Sequence, residues 1–302
     1  MTNEISIKSI DNDNYAVMAK AMGVSLDKEG GGSTSVKLPR LRIVNQPITK
    51  QTKVNGKKMQ EEVMEAGHFE LSLPENENVF YGKNIEIRIF MQRFMYKKWI
   101  PFANKYEKTV FSDNLNIDLK DTMGTFNLGR PQGFQKDWSS LPDTTKDIIK
   151  SVKRVRGIFG KVKFIGKVVD SSHEEVESQE TPFIWEMHNA TAFKNMGVPI
   201  STLAKIKKIP INHYISVATE EQKIPSGNSF YVPVASLDVT RNANITDDDQ
   251  VLFTQFQEFV SNYNGWVVSE WDKLAQPQDI SDEDKDIVDD FIDVDLDGND
   301  KK

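Results

Sequence analysis

Not one of the 302 residues is cysteine. That absence excludes disulfides, Cys-ligated zinc, iron–sulfur clusters and a thiol nucleophile, and it fits a reducing compartment. Histidine is almost as scarce. The four present, His68, His173, His188 and His213, stand far apart in sequence with no HExxH-like ligand spacing, so nothing local argues for a catalytic metal. No GxxxxGK loop, nucleophile elbow or paired-carboxylate motif is present either. Apolar runs never approach the ~20 residues of a membrane helix, and the opening MTNEISIKSIDNDN lacks the charged-then-apolar pattern of a signal peptide. An intracellular protein with no membrane contact, no cofactor and no enzymatic activity is the expectation.

Net positive charge is also lacking: the chain carries a formal −7. The charge is segregated, however. Between Lys83 and Lys167 there are eighteen Lys and Arg against eight Asp and Glu, whereas Asp279 to Lys302 holds eleven acids against three lysines. An acidic tail of that kind has too few apolar residues for a core, which predicts a disordered extension over 277–302. Beside a basic midsection it can act as a nucleic-acid mimic that competes for a cationic groove. Asp289, Asp290, Phe291, Ile292 and Asp293 are its candidate partner-binding residues. The run Asp293, Asp295, Asp297, Gly298 imitates the opening of a calcium-binding loop, but the position-12 glutamate is missing.

The midsection contains RFMYKKWIPFANKY, Arg93 to Tyr106, which interleaves five aromatic residues with Arg93, Lys97, Lys98 and Lys105. Cations for phosphates beside rings for bases are what a single-strand surface needs. A strand through this segment has a period of two. It would separate a core row, Ile85, Ile87, Ile89 and Met91, from a binding row, Arg88, Phe90, Gln92, Phe94, Tyr96 and Lys98. In VKRVRGIFGKVKFIGKVVD, Phe159, Lys161, Lys163 and Lys167 share parity and repeat the pattern. The candidate nucleic-acid-binding residues are therefore Arg88, Phe90, Arg93, Phe94, Tyr96, Lys97, Lys98, Trp99, Lys105, Phe159, Lys161 and Lys163. Packing of the aromatics under a loop is the plainer alternative.

Residues 1–36 read as a flexible leader ending in KEGGGSTS, and 37–276 as the folded domain. Within it, strands are expected at Val36 to Ile48, near Phe69 to Leu73, through KNIEIRIFMQRFMYKKW, across 152–170 and at PFIWEMH. INHYISVATEEQKI and SFYVPVASLD should form a hairpin. A helix interrupted near Pro199 and an amphipathic helix in TDDDQVLFTQFQEFVSNY follow, the latter with Leu252, Phe253, Phe256, Phe259 and Val260 as its apolar stripe. The long loop from Asp113 to Asp143 should be functional or mobile. Its Asp113, Asp118 and Asp121 are the nearest approach to a nuclease cluster. The whole suits a mainly β, α+β domain: an OB-like Greek-key barrel elaborated by long loops, with an inserted helix and a C-terminal helix, or alternatively a β-sandwich.

LPRLRIVNQPI, the strand end FMYKKW, the IPINHYISVATEEQKI and SFYVPVASLD hairpin and the acidic tail together resemble a family of bacteriophage proteins regarded as probable single-stranded-DNA-binding proteins. The resemblance covers roughly residues 37 to 265. It implies a replication or recombination accessory that coats displaced strands in the cytoplasm of an infected bacterial host, with phage replication proteins as partners of the tail. Some members carry cysteines that suggest a zinc ribbon, and this chain has none. Phe291 is internal and KK closes the chain, unlike tails that end on an aromatic. Homo-oligomerisation is compatible with this reading, and a phage virion or assembly protein is its rival.

Overall fold

The computed structural model of the chain describes residues 37–54, 57–74, 78–132, 137–223, 227 and 229–275. The expected leader and the acidic tail, with its five candidate partner residues, lie outside the described residues. Ten strands occur among the described residues: β1 (Arg40–Ile43), β2 (Ile48–Val54), β3 (Lys57–Met64), β4 (Phe69–Ser72), β5 (Val79–Ile100), β6 (Lys105–Lys108), β7 (Val152–Val169), β8 (Thr181–Met187), β9 (His213–Lys223) and β10 (Ser229–Asn242). The α-helices among them are α1 (Asp143–Ser151), α2 (Ala190–Asn195), α3 (Gly197–Lys205) and α4 (Asp247–Ala275). None is long and apolar enough to cross a membrane.

The protein is mainly β, and five of its strands close a ring. β1 pairs with β4, β4 with β5, β5 with β7 and β7 with β8, all antiparallel, and β8 returns to β1 in parallel. The closure is short: Arg40 registers with Ile184, and the Ile184 N–H donates to the Pro39 carbonyl at 2.8 Å. The five strands thus follow one another round the barrel in chain order. This meander corrects the expected Greek-key order, in which the last two strands would exchange places. Leu41, Phe69, Leu71, Ile85, Ile87, Ile158, Val162, Phe183 and Trp185 fill the ring, and Ala192 of α2 and Met196 join the same cluster. These are the inward positions that alternation demands of a closed sheet.

β5 organises everything else. One edge of its 22 residues pairs with β7 almost throughout, while the other is shared in turn by β4, β9 and β6. Beyond the barrel, β5 and β7 therefore continue as a two-stranded ribbon, widened by β6. The β9–β10 hairpin appears where the sequence placed it. The β2–β3 hairpin was not legible, because KQTKV and KKMQEEV have no apolar alternation. The helix break falls at Met196 rather than Pro199, since a proline in the first turn of α3 has no intrahelical N–H to forfeit.

A bulge decides which way the ribbon residues face. Pairing of β5 with β7 slips between Ile89 and Met91, leaving Phe90 unopposed. Gly160 makes this possible: a Cβ there would stand 2.0 Å from the Arg88 carbonyl oxygen. Gly160→Ala should accordingly cost about 3 kcal/mol or more in urea unfolding, as an overpacking that backbone alone can relieve.

Helix α4 lies on the outer face of β5 and β7. Leu252, Phe256 and Val260 pack with Phe90, Met91, Met95, Val155 and Phe159, so the expected stripe is the one buried. Its Phe253 and Phe259 sit half-buried at the margin. The helix runs to Ala275, well past Tyr263.

Candidate nucleic-acid interface

The bulge divides the predicted site. Before it, Arg88 and Lys161 are register partners on the helix-covered face, and both reach Asp249 of α4. Arg88 Nη2 donates to Asp249 Oδ2 at 2.9 Å and Lys161 Nζ to Oδ1 at 2.6 Å. Phe90 and Phe159 are buried beside them in the helix-packing cluster. Arg88, Phe90 and Phe159 are core and Lys161 is half-buried, which corrects the expectation of an exposed stacking row, because α4 occupies the face that the aromatics and cations were read as offering. Burial by itself would raise the Asp249 carboxyl, but Lys161 and Arg88 hold it down at about 2.

After the bulge the parity reverses. Gln92, Phe94 and Tyr96 now share a face with Ile158, Arg156 and Arg154, while Arg93, Met95, Lys97 and Trp99 take the other. Tyr96 is fully buried, with its hydroxyl donating to the Leu115 carbonyl at 3.3 Å, so it too is core rather than a platform. Phe94 is half-buried against Phe193. Arg93 pairs with Asp113 at 2.9 Å, and Lys105 with Glu107 at 2.7 Å. Lys163 is exposed but lies back along the barrel, opposite Glu86 in register.

What survives is gathered at the β5–β6 end of the ribbon. Trp99 is 42% exposed and Tyr106 47%, and the two are cross-strand partners with ring centroids 4.7 Å apart. Phe102 sits in the 3-10 turn joining the strands, 94% exposed. Pro101 starts that turn, and Asn104 ends it in the left-handed conformation that asparagine tolerates. Lys97 Nζ lies 4.0 Å from the Tyr106 ring centroid. Lys97 also registers with Lys108 on one side and Lys153 on the other, so cations cross all three strands of the ribbon.

One carboxylate stands among these cations. Glu186 of β8 is approached by Lys108 at 3.4 Å, Arg40 at 3.5 Å and Lys97 at 3.8 Å. Burial would raise its carboxyl, but Lys108, Lys97 and Arg40 hold it below the usual range. Burial lowers the nearby His188, and Lys97 and Lys153 lower it further. The face is thus over-supplied with positive charge, while Lys98 takes the opposite face of the ribbon, across from Glu107 in register. Phe102, Tyr106, Lys108, Lys153 and Arg40 were absent from the sequence-derived set. Phe102 and Tyr106 stood in the stretch that drew attention, but only the hairpin shows that they point outward.

The loop once compared with a nuclease cluster is built otherwise. Asp121 is buried and accepts from the N–H groups of Met123, Thr125 and Leu128, while Asp118 accepts from Asn127 and Asp113 serves Arg93. Asp121 organises backbone, and the other two serve side chains. Among the described residues no group of three or more His, Asp or Glu could hold a metal ion. No family model, curated protein or solved structure matches the chain, which leaves the geometry of this face as the ground for assigning a role.

Proposed function

We propose that the protein binds single-stranded DNA through the β5–β6 end of the ribbon. The observation that carries this reading is the exposure of Trp99, Phe102 and Tyr106 together, on a hairpin whose strands bear Lys97, Lys98 and Lys108 with Lys153 alongside. A hydrophobic side chain 94% exposed at the tip of a turn contributes nothing to the fold, whereas a base stacked on it would cover it. The lysines take the phosphates that flank such a base. The acidic residues beyond Gln276 compete with the strand for this surface, and the protein acts as a coating factor in phage replication or recombination, as the resemblance implies.

Fluorescence anisotropy with labelled oligo-dT across a salt series tests this directly. If Lys97, Lys108 and Lys153, which share the face of Trp99 and Tyr106, each neutralise one phosphate, the logarithm of the association constant falls with log salt at a slope of about −2. A chain ending at Gln276 should bind more tightly than the full chain, most visibly at low salt. Absence of binding by both would remove this reading and favour a virion or assembly role.

A further inference from the structure

The opposite face of the ribbon carries a second cationic feature with a different construction. Phe94 and Tyr96 of β5 register with Arg156 and Arg154 of β7, and Arg130 reaches in from the preceding loop to place its guanidinium 5.4 Å from the Tyr96 ring centroid. Arg156 is only 9% exposed. Its Nε donates to the Phe193 carbonyl at 3.0 Å and its Nη1 to Gln92 Oε1, while Nη2 has no acceptor among the described residues. The rings of Phe193 and Phe94 flank it, with centroids 4.4 and 5.0 Å from the guanidinium carbon. Burial pushes this guanidinium down to about 10.

Among the described residues, none of Arg130, Arg154 and Arg156 forms an ion pair. Elsewhere the chain does match its buried cations: Arg88 and Lys161 share Asp249. A guanidinium held nine-tenths out of water without a counter-ion, beside two more arginines, is an unbalanced charge that folding alone does not explain. Gly197, at the start of α3, lets the backbone approach Nη2 closely. A Cβ there would approach Nη2 to 2.6 Å.

We propose that Arg156, Arg154 and Arg130 form a recognition site for a phosphate monoester. The guanidinium fork matches phosphate oxygens two at a time, and a monoester carries close to two negative charges at neutral pH, suited to more than one arginine. Phe94 and Phe193 hold the Arg156 fork in place, so little side-chain freedom is lost on binding. Two sources share this chemistry: the 5′-terminal phosphate of a strand lying on the same ribbon, and a small free phosphate. The first rests on the single-strand reading, and the second stands without it.

The test uses the full chain, Arg154→Ala and Arg156→Met. Arg154 is exposed and Arg156→Met replaces an unpaired buried charge by an apolar chain, so both should fold. Thermal unfolding is followed in inorganic phosphate against chloride of equal ionic strength, and anisotropy compares 5′-phosphorylated with 5′-hydroxyl oligo-dT. Tenfold or greater preference for the phosphorylated strand, lost in both variants, supports the site with the strand end as its ligand. A phosphate-dependent rise in melting temperature that both variants lose, without strand preference, supports it with small phosphate as the ligand. Neither effect in the unaltered protein, or either one undiminished in both variants, overturns the site. Phosphate stabilisation with no oligonucleotide binding at all would sink the single-strand reading and leave the site standing.

Discussion

Replacing Asp249 by Asn is expected to destabilise the protein by about 3–5 kcal/mol in urea unfolding at pH 7. The carboxylate is completely buried and faces Arg88, itself 4% exposed, and Lys161. It also accepts from the Thr246 N–H, which fixes the start of α4. An asparagine keeps the shape and leaves Arg88 unneutralised under a helix, with Lys161 retaining only Glu180 at 3.6 Å. The same group sets a pH dependence. Its carboxyl is held at about 2, below the ordinary 3.8, so the charged form is favoured in the folded state. The contribution is therefore complete above about pH 4 and is lost as pH falls through the folded value. Over that window the unaltered protein should lose roughly 2 kcal/mol that Asp249→Asn has already forfeited. Equal acid sensitivity in the two proteins would show that the triad is not the source.

The second large effect concerns binding. Simultaneous Trp99→Ala, Phe102→Ala and Tyr106→Ala should weaken oligo-dT binding on the order of 10³-fold, from about 1–3 kcal/mol for each lost stack. Phe102 gives the cleanest single substitution, because its side chain is almost wholly in solvent and its loss cannot disturb packing. Tyr106→Ala also removes the ring beneath Lys97 and should alter the salt slope as well as the affinity. Wild-type affinity in a triple variant with unchanged circular dichroism would move the strand away from this hairpin.

Much of the framework was legible because alternation is a local property. The strands β5, β7 and β8, the inward Ile85, Ile87 and Ile89 of β5 and the stripe of α4 could be read from spacing alone. The misplacement of Phe90, Phe159, Arg88 and Lys161, and the separation of Phe94 and Tyr96 from them, came from two facts that spacing does not encode. A single unopposed residue at Phe90 reverses every side chain beyond it, and the glycine that permits it sits on another strand. Asp247 and Asp248, exposed at the start of α4, favour its dipole, yet Asp249 beside them belongs to cations far back in the chain. Tyr96 was drawn into the core by a loop whose order depends on Asp121 and its backbone donors, a three-dimensional arrangement with only scattered turn residues as its signature. Ring closure between β1 and β8 was equally silent, since it rests on a few residues far apart in the chain.

The pairing of Arg88 with Asp249 spans 161 positions of sequence, and that interval has a temporal meaning. Synthesis is vectorial, so β5 and β7 emerge and begin to pair while the carboxylate that neutralises Arg88 and Lys161 has yet to be made. Until α4 arrives, two cations border an uncovered apolar strip containing Phe90, Met95 and Phe159, which resists premature docking of that strip against other chains as well as its own completion. The five barrel strands are complete at Met187, so it is the outer face of β5 and β7 that stays uncovered until late in translation, and a ribosome stalled ahead of residue 247 would release a product lacking the element that covers it. Slow, high-contact-order refolding with a late phase reporting on α4 is the kinetic signature of such a design.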